Sequence, residues 1–299
     1  MAEFKHFPVM AKEAVGALDC TCGKTYIDAT LGGGGYSSLI LEKLNGKGNL
    51  FAFDVDEDAI SAAAEKLKDY KNLTIIKDSH VNIKKHLPEF NIDKIDGGIV
   101  YDFGASYYQL TDVSRGFSFQ KDSPLDMRFD KDADFSAYDV INRYREDDLV
   151  RIFSEYGEER FSRRIAKAVV EYRKKSPVKT TFDLVNIILS STPRIKSKIH
   201  PATRVFQAVR IEVNKELDNI KNSLENILPF LGEGAIISAV TFHSAEDRIV
   251  KNFFRNNSEK NGGRLCILTK KPVCATEDEL KINPPSRSAK LRYAKVIKG

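Results

Sequence analysis

Acidic residues follow strand-like runs in the first third of this 299-residue sequence, in positions where a carboxylate can bind a small ligand. Asp54 follows the run from Leu50 to Phe53, 22 positions after Gly32, and Asp102 follows the run from Ile95 to Tyr101. Ligands of open α/β sheets bind outside the carboxyl ends of the strands, where an acid at this spacing can accept hydrogen bonds from ribose hydroxyls. The sequence therefore predicts a nucleoside-type ligand with Asp54 at its ribose.

Asp102 is a candidate catalytic residue for the transfer of a methyl group to an amine. A carboxylate can hold amine hydrogens so that the lone pair points at the incoming carbon, and such alignment accounts for much of the rate. Asp102 can also accept the released proton, although an acid at a strand end can equally cap a loop. Tyr107 and Tyr108 follow in the same loop and are candidates for stacking on an extruded base, with simple packing as the alternative.

Four glycines, from Gly32 to Gly35, stand between a strand-like run and a helical pattern. A glycine turn in this setting lets the backbone approach a bound nucleotide-like ligand. Ser37 occupies the place of the third glycine in the dinucleotide fingerprint, which disfavours a pyrophosphate ligand and hence a nicotinamide-dependent oxidoreductase. The pattern favours S-adenosylmethionine, an adenosine cofactor without phosphates.

The elements that must position these residues alternate between strand and helix. Predicted strands are Thr25 to Thr30, Leu50 to Phe53, Leu73 to Ile76, Ile95 to Tyr101, Gly234 to Phe242, Leu265 to Thr269 and Leu291 to Ile297, with early helices at Ser37 to Leu44 and Asp58 to Tyr70. Such alternation predicts an α/β fold with a parallel sheet covered by helices on both faces. Between Thr111 and Arg210 the pattern is mainly helical, so we predict a helical domain at 111–210 inserted into a sheet domain formed by 1–110 and 211–299.

The positive charge of the chain is concentrated in that helical block. Residues 160–210 contain 13 Lys and Arg against Glu171 and Asp183, a net charge of +11, whereas the whole chain carries +5 and the remainder therefore −6. Clustered cations favour a polyanionic partner, since they release counterions from a phosphate backbone. A solvated helical face is the alternative, because apolar residues are interleaved with the cations.

Other features exclude several classes of protein. The longest apolar stretch, Ala235 to Phe242, is too short to span a membrane, and the N-terminus is no signal sequence, so we expect a soluble cytoplasmic protein. Four cysteines without zinc-site spacing fit a reducing compartment, and no metal site is predicted. His243, Ser244, Glu246 and Asp247 are adjacent in sequence, which does not make a hydrolase triad; the acids also suit the first turn of a helix.

Taken together, segments along nearly the whole chain resemble the ribosomal RNA small subunit methyltransferase H family. They begin at His6-Phe-Pro-Val-Met, Tyr26-Ile-Asp-Ala-Thr-Leu-Gly-Gly-Gly-Gly, Arg115-Gly-Phe-Ser-Phe, Pro124-Leu-Asp-Met-Arg, Tyr156-Gly-Glu-Glu-Arg-Phe, His200-Pro-Ala-Thr-Arg-Val-Phe, Phe242-His-Ser-Ala-Glu-Asp-Arg and Arg287-Ser-Ala-Lys-Leu-Arg. The resemblance implies a class I S-adenosylmethionine-dependent methyltransferase, Rossmann-like, with an inserted all-helical domain that recognises rRNA. It also implies methylation of the exocyclic N4 of a decoding-centre cytidine in 16S rRNA of the small ribosomal subunit.

The resemblance also implies which residues contact the cofactor: Gly34, Gly35, Tyr36, Asp54, His80, Asp102 and Gln109. This chain departs from the family pattern at three places. Tyr36 replaces a usual histidine, His80 stands where an aromatic is common, and the loop after Asp102 reads Phe-Gly-Ala-Ser-Tyr-Tyr-Gln. A non-catalytic ribosome assembly factor that retains the cofactor pocket is therefore the alternative function, and the sequence leaves open whether the chain forms a homodimer.

Overall fold

The computed structural model describes residues 8–106, 109–110, 112–193 and 200–297 of the chain, which divides into two compact units. The first unit comprises Met1–Gly104 and Leu217–Gly299, and the second comprises Ala105–Glu216. The second unit is continuous in sequence and interrupts the first. Its two ends lie a few residues outside the junctions predicted near Thr111 and Arg210.

The first unit is built on a seven-stranded sheet in the order β3-β2-β1-β4-β5-β7-β6. The strands are β1 Thr25–Asp28, β2 Asn49–Asp54, β3 Leu73–Lys77, β4 Gly98–Asp102, β5 Ile236–Thr241, β6 Leu265–Ile267 and β7 Lys290–Val296. Neighbouring strands from β3 to β5 are parallel, whereas β7 pairs antiparallel with both β5 and β6. The prediction of a parallel sheet, which rests on the alternation of the first four strands with helices, is confirmed for those strands, and β7 adds an antiparallel strand. The chain returns from β6 to β7 at the same end of the sheet, without the crossover that a parallel neighbour requires.

Helices cover both faces of this sheet. They are α1 Ala11–Ala17, α2 Gly35–Leu44, α3 Glu57–Lys66, α4 Ile83–His86, α10 Glu216–Ile227, α11 Ser244–Asn256 and α12 Glu277–Ile282. The intervening five helices belong to the second unit and are described below. Apolar side chains of α1, α2 and α3 form one core with alternate residues of the strands, and those of α4, α10 and α11 form another on the opposite face. Burial on both faces explains why β4 and β5 are apolar along almost their whole length.

The bounds of α3 and β4 differ most from the predicted ones, by four and three residues at one end. Helix α3 ends at Lys66 instead of Tyr70, because Leu67 leaves helical geometry and the Tyr70 N–H donates to its carbonyl in a turn. Strand β4 begins at Gly98 instead of Ile95, which forms only an isolated bridge with Leu231. The strand therefore includes only the second of the two adjacent glycines.

The second unit has a helical core of its own. Its helices are α5 Ala137–Arg143, α6 Glu146–Glu155, α7 Ser162–Arg173, α8 Thr181–Ser191 and α9 Ala202–Asn214. Their apolar faces bury one cluster that includes Phe153, Ile165 and Val209, none of which is exposed. Among the described residues of this unit no strand is present, and the sole ladder contact is a bridge between Pro124 and Thr180. Across the part of the chain that the structure describes, none of the helices combines the length and apolar character needed to cross a membrane.

Candidate active site

Three parallel strands of the first unit end in aspartates at the same edge of the sheet. Asp28 ends β1, Asp54 ends β2 and Asp102 ends β4, and β1 lies between the other two strands. The carboxyl ends of parallel strands meet at one edge, where the order of the strands reverses and ligands bind. The sequence singled out Asp54 and Asp102, and the structure adds Asp28.

The glycine loop connects β1 to α2 and is held by Asp54. The Gly32 N–H donates to Oδ2 of Asp54 at 2.8 Å, and the Asp56 N–H donates to Oδ1 at 3.0 Å. Gly34 has φ +71°, and a Cβ at this position would lie 2.9 Å from a methyl group of Leu67. Only glycine meets both conditions without strain. Each Asp54 oxygen keeps a second lone pair, so the carboxylate can still accept a bond from a ribose hydroxyl.

Asp28 is fully buried beneath this loop. Its Oδ2 accepts the hydroxyl of Ser37 at 2.7 Å and its Oδ1 accepts the Thr30 N–H at 3.2 Å. Burial is the main cause that raises the pKa of this carboxyl from 3.8 to about 6, and neighbouring Asp54 adds to the effect. Ser37, which breaks the dinucleotide fingerprint, thus serves to bind a buried carboxyl.

Asp102 presents an unsatisfied acceptor at the end of β4. Its backbone N–H donates to the Thr30 hydroxyl at 2.7 Å, which joins it to the end of β1. Its Oδ1 is buried and has no hydrogen-bond partner among the described residues. Burial, followed by the charges of Asp28 and Glu246, raises the pKa of Asp102 well above its ordinary value. An unpaired buried oxygen of this kind fits a ligand that brings hydrogen-bond donors.

Tyr36 lies in the first turn of α2 and is almost completely buried. Its hydroxyl donates to the carbonyl of Val9, and burial followed by the nearby Asp102 charge raises its pKa. The segment that contains Val9 also contacts the glycine loop, since a Cβ at Gly35 would lie 2.6 Å from Pro8. Tyr36 therefore fastens this segment over the start of α2, close to Asp102.

His80 lies beyond the end of β3, with its ring against two aromatic rings. Its ring centroid is 5.9 Å from that of Tyr101 and 5.9 Å from that of Phe103. Burial lowers the pKa of His80 to about 4, so the ring is neutral at physiological pH. Its Nδ1 is buried without a hydrogen-bond partner in the described structure, and a flat apolar wall with one unpaired nitrogen suits a purine.

Asp78, which directly follows β3, is bonded within its own loop. Its Oδ1 accepts the Ser79 N–H at 2.6 Å and the Asn82 side chain at 2.7 Å, and its Oδ2 lies 2.8 Å from Nε2 of His86. Asp78 thus holds the chain that presents His80.

Gln109 belongs to the second unit, unlike the other predicted site residues. It is buried, and its side-chain oxygen accepts the Ser106 N–H at 2.8 Å. The structure therefore shows it closing its own loop. Tyr107 and Tyr108 lie outside the described residues.

The segment after β5 adds residues that sequence reasoning did not assign to the site. Glu246 is fully buried, and its Oε2 accepts the N–H groups of Phe242 at 2.7 Å and His243 at 3.2 Å. Asp247 instead pairs with Arg292, at 2.6 Å and 3.2 Å, in the neighbouring strand β7. The prediction that these acids begin a helix is confirmed by α11, and the Arg292 contact leaves Asp247 no role as the third member of a hydrolase triad.

Some cations of residues 160–210 are hydrogen-bonded within the second unit, and others are exposed. Arg173 donates to the carbonyls of Ile141 and Tyr144, Arg204 donates to the carbonyl of Glu158, and Arg210 pairs with Glu216 at 2.8 Å. Asn214, on the same helix as the last two, bonds the backbone of Met127 and Phe129. On α7, by contrast, Arg163, Arg164 and Lys167 are exposed. Arg194, Lys196 and Lys198 lie outside the described residues.

The chain is similar to known proteins over its whole length. A family model described as the MraW methylase family matches residues 3–297. A protein of Clostridium botulinum (strain Loch Maree / Type A3) named ribosomal RNA small subunit methyltransferase H is 45% identical over 309 residues, covering 99% of this chain and 100% of the relative. A protein of the same name from Caldicellulosiruptor bescii is 47% identical over 307 residues, covering 98% and 100%.

A solved structure supports the fold. The crystal structure of a candidate rRNA methylase from Clostridium thermocellum has a TM-score of 0.50 at 12% identity, and the match covers 98% of this chain and 100% of that one. At this identity the likeness bears on the fold alone. The predicted α/β fold with a Rossmann-like methyltransferase sheet is confirmed.

Proposed function

Because the chain belongs to the MraW methylase family, we propose that it methylates the exocyclic N4 of a decoding-centre cytidine in 16S rRNA of the small ribosomal subunit. S-adenosylmethionine is the methyl donor. The observation that carries the proposal is the buried, unpaired Oδ1 of Asp102 beside the glycine loop. The names of the full-length relatives support rRNA as the substrate. Assembly of small subunits takes place in the cytoplasm, which agrees with the predicted location.

The residues at the strand ends fit S-adenosylmethionine. Gly34 and Gly35 let the loop pack closely against Leu67 and Pro8. Asp54 keeps lone pairs for the ribose hydroxyls, and His80 offers an apolar wall with an unpaired nitrogen for the adenine. Asp102 ends β4, and Tyr36 lies close to it. The family resemblance also implies a cofactor contact for Gln109. When bound, the cofactor supplies an electrophilic methyl group on a positively charged sulfur.

Asp102 performs the orienting step in this mechanism. Its Oδ1 accepts one hydrogen of the cytidine N4 amine, which turns the nitrogen lone pair toward the methyl carbon. Thr30 fixes the Asp102 backbone, so the carboxyl is held in place before the substrate arrives. The cytidine must leave its stack to reach this edge of the sheet, because the acceptor is buried.

The second unit is the proposed rRNA-binding part of the chain. Arg163, Arg164 and Lys167 project from exposed positions on α7, where cations can contact phosphates. Among the exposed cations of this unit, those paired with acids, such as Lys174 with Glu171 at 2.7 Å, are partly neutralised. We therefore assign the main phosphate contacts to Arg163, Arg164 and Lys167.

Incubation of unmodified small subunits with methyl-labelled S-adenosylmethionine tests the function. We expect label in 16S rRNA and, by mass spectrometry of the digested rRNA, N4-methylcytidine at the decoding centre. Asp102→Ala should abolish labelling while calorimetry shows retained cofactor binding. Unlabelled rRNA with wild-type protein that binds small subunits would favour the assembly-factor alternative, and full activity of Asp102→Ala would remove Asp102 from the mechanism.

A further inference from the structure

His243 is a largely buried histidine at the start of α11. It directly precedes α11, and its side chain is only 10% exposed. Neither Nδ1 nor Nε2 has a hydrogen-bond partner among the described residues. Buried polar atoms in folded proteins are nearly always paired, so two unpaired nitrogens on one ring indicate a position that receives a ligand.

Glu246 stands beside this ring in a position to stabilise positive charge on it. Its Oε1 lies 3.1 Å from Nε2 of His243, although the ring N–H is not aligned for a hydrogen bond. Its Oε2 accepts the backbone N–H groups of Phe242 and His243, just before α11, and Glu246 lies in the first turn of that helix. The two hydrogen bonds and the helix N-terminus both favour negative charge on the carboxyl. A buried carboxylate at this distance stabilises an imidazolium that forms when the ring takes a proton.

His243 and Asp102 follow neighbouring strands. Asp102 is opposite Val240 in the ladder of β4 and β5, and the Phe103 N–H donates to the Val240 carbonyl at 3.1 Å. Gly104 lies between the two strand ends, where an added Cβ would be 3.5 Å from the Phe242 ring. Two buried groups that can accept hydrogen bonds are thus unsatisfied at one edge of the sheet.

We propose that His243 is a second catalytic residue, which holds one hydrogen of the target amine and accepts that proton during methyl transfer. The inference rests on the proposed function and extends it. An exocyclic amine has two hydrogens, and the edge offers two acceptors: Oδ1 of Asp102 and one ring nitrogen of His243. The amine nitrogen forms the new bond to the methyl carbon, the methyl–sulfur bond breaks with its electron pair left on sulfur, and one amine proton passes to His243. The imidazolium is stabilised by Glu246, and the proton then passes to water.

The paired acceptors also explain a preference for cytidine over uridine. At the corresponding position uridine has a carbonyl oxygen, which brings no hydrogen to either acceptor. Three acceptors would then face one another without a donor, and a site built to bind donors rejects such an analogue strongly.

His243→Asn separates ring chemistry from the structural role of this position. Asparagine is a preferred residue at the start of a helix, so α11 should form, and its side-chain oxygen can hold an amine hydrogen but cannot take the proton. We expect S-adenosylmethionine affinity by calorimetry, small-subunit affinity by sedimentation and KM to stay within about threefold of wild type. The single-turnover methylation rate should fall by roughly 10²- to 10⁴-fold, the usual contribution of a general base.

Two further variants test the proton transfer itself. Imidazole added to His243→Ala should restore part of the lost rate in proportion to its concentration. Glu246→Gln preserves an oxygen for the two backbone donors but removes the charge, and should also lower the single-turnover rate with unchanged cofactor affinity.

Three outcomes would overturn the proposal while leaving the function intact. They are a wild-type rate in His243→Asn, a parallel loss of cofactor binding that marks a structural role, and an absence of imidazole rescue in a His243→Ala protein that still binds both partners. A wild-type protein that fails to methylate small subunits would instead overturn the proposed function.

Discussion

Three carboxyl groups share a buried space at the edge of the sheet, and their mutual repulsion shapes the chemistry there. Asp28 and Glu246 both raise the pKa of Asp102, after burial itself, and burial likewise raises that of Asp28. Negative charge concentrated in this way is unfavourable until a cation arrives. The sulfonium of S-adenosylmethionine is such a cation, so the proposed cofactor relieves the repulsion that the empty edge would carry.

Asp28→Asn should stabilise the protein at neutral pH and have little effect under acid conditions. The folded-state pKa of about 6 exceeds the ordinary value of 3.8, so the folded protein binds the proton more tightly and stability falls as pH rises between these values. Ionised Asp28 thus costs roughly 3 kcal/mol at pH 7, most of which asparagine removes while it keeps the bonds to Thr30 and Ser37. Urea unfolding of both proteins from pH 4 to pH 8 measures the difference.

Asp69→Asn is the matched control for this prediction. Asp69 is an exposed aspartate of the same unit, so its substitution should change the free energy of unfolding by less than about 0.5 kcal/mol at every pH. If the difference in the free energy of unfolding between Asp28→Asn and wild type stays constant from pH 4 to pH 8, burial does not raise the pKa of the Asp28 carboxyl.

The sequence predicts site residues only where their positions along the chain determine where they lie in the fold. Asp54 and Asp102 end β2 and β4, the parallel strands on either side of β1, so their shared edge follows from the alternation of strands and helices. The unpaired state of His243 does not follow, because it depends on how Oε1 of Glu246 is aligned with the ring. Nor does the bond from Tyr36 to Val9, which joins two segments that sequence reasoning kept apart.

At the scale of elements, the order of strands and helices was predictable from the sequence. The position of the last strand in the sheet was not. Strands β1 to β5 follow from short apolar runs separated by helical periods. The place of β7 between β5 and β6 depends on long-range pairing and on Arg292 reaching Asp247, which no local pattern encodes. Helix α3 ends four residues before the predicted end for a similar reason, since Leu67 leaves helical geometry and its side chain lies against Gly34.

Gly34→Ala should weaken both the fold and cofactor binding. The positive φ of +71° is strained for alanine, and the added Cβ would lie 2.9 Å from Leu67. We expect a loss of about 1–3 kcal/mol in the free energy of unfolding and a weaker affinity for S-adenosylmethionine. Urea unfolding and calorimetry measure the two effects.

Gly16→Ala provides the comparison, because Gly16 lies in helix α1 with no atom within 4 Å of an added Cβ. Alanine there should stabilise the protein by about 0.5–1 kcal/mol and leave cofactor affinity unchanged. Equal effects of the two substitutions would contradict the assigned role of the Gly34 conformation.

On helix α7, Arg173 makes hydrogen bonds that stabilise the fold, whereas other cations of this helix are exposed to solvent. Arg173→Leu removes two charge-assisted hydrogen bonds to the carbonyls of Ile141 and Tyr144 at the end of α5. We expect the free energy of unfolding to fall by about 2–3 kcal/mol, because those carbonyls lose their partner. Lys174→Leu breaks only an exposed pair with Glu171 and should cost less than about 1 kcal/mol. Similar losses in the two variants, measured by urea unfolding, would refute this division.

At the scale of the whole molecule, fewer cations of residues 160–210 are available to a partner than their net charge suggests. The net charge of +11 in residues 160–210 includes Arg173, Arg204 and Arg210, which bond carbonyls or an acid inside the second unit. Arg210 is neutralised by its pair with Glu216, and the guanidinium groups of Arg173 and Arg204 are held by backbone carbonyls. The proposed rRNA-binding surface therefore reduces, among the described residues, to the exposed cations on and near α7.

Replacing Arg163, Arg164 and Lys167 together with glutamine should weaken binding to small subunits and flatten its dependence on salt. Each phosphate contact contributes about 0.7 to 0.9 to the slope of log affinity against log salt concentration, so the slope should fall by roughly 2 to 3. A control triple of exposed lysines in the first unit, Lys251, Lys260 and Lys271, removes the same net charge from a different surface. Filter binding across a potassium chloride series, with calorimetry of S-adenosylmethionine in parallel, compares the two. A general effect of net charge would lower both slopes equally, whereas local phosphate contacts lower only the first and leave cofactor affinity unchanged in both.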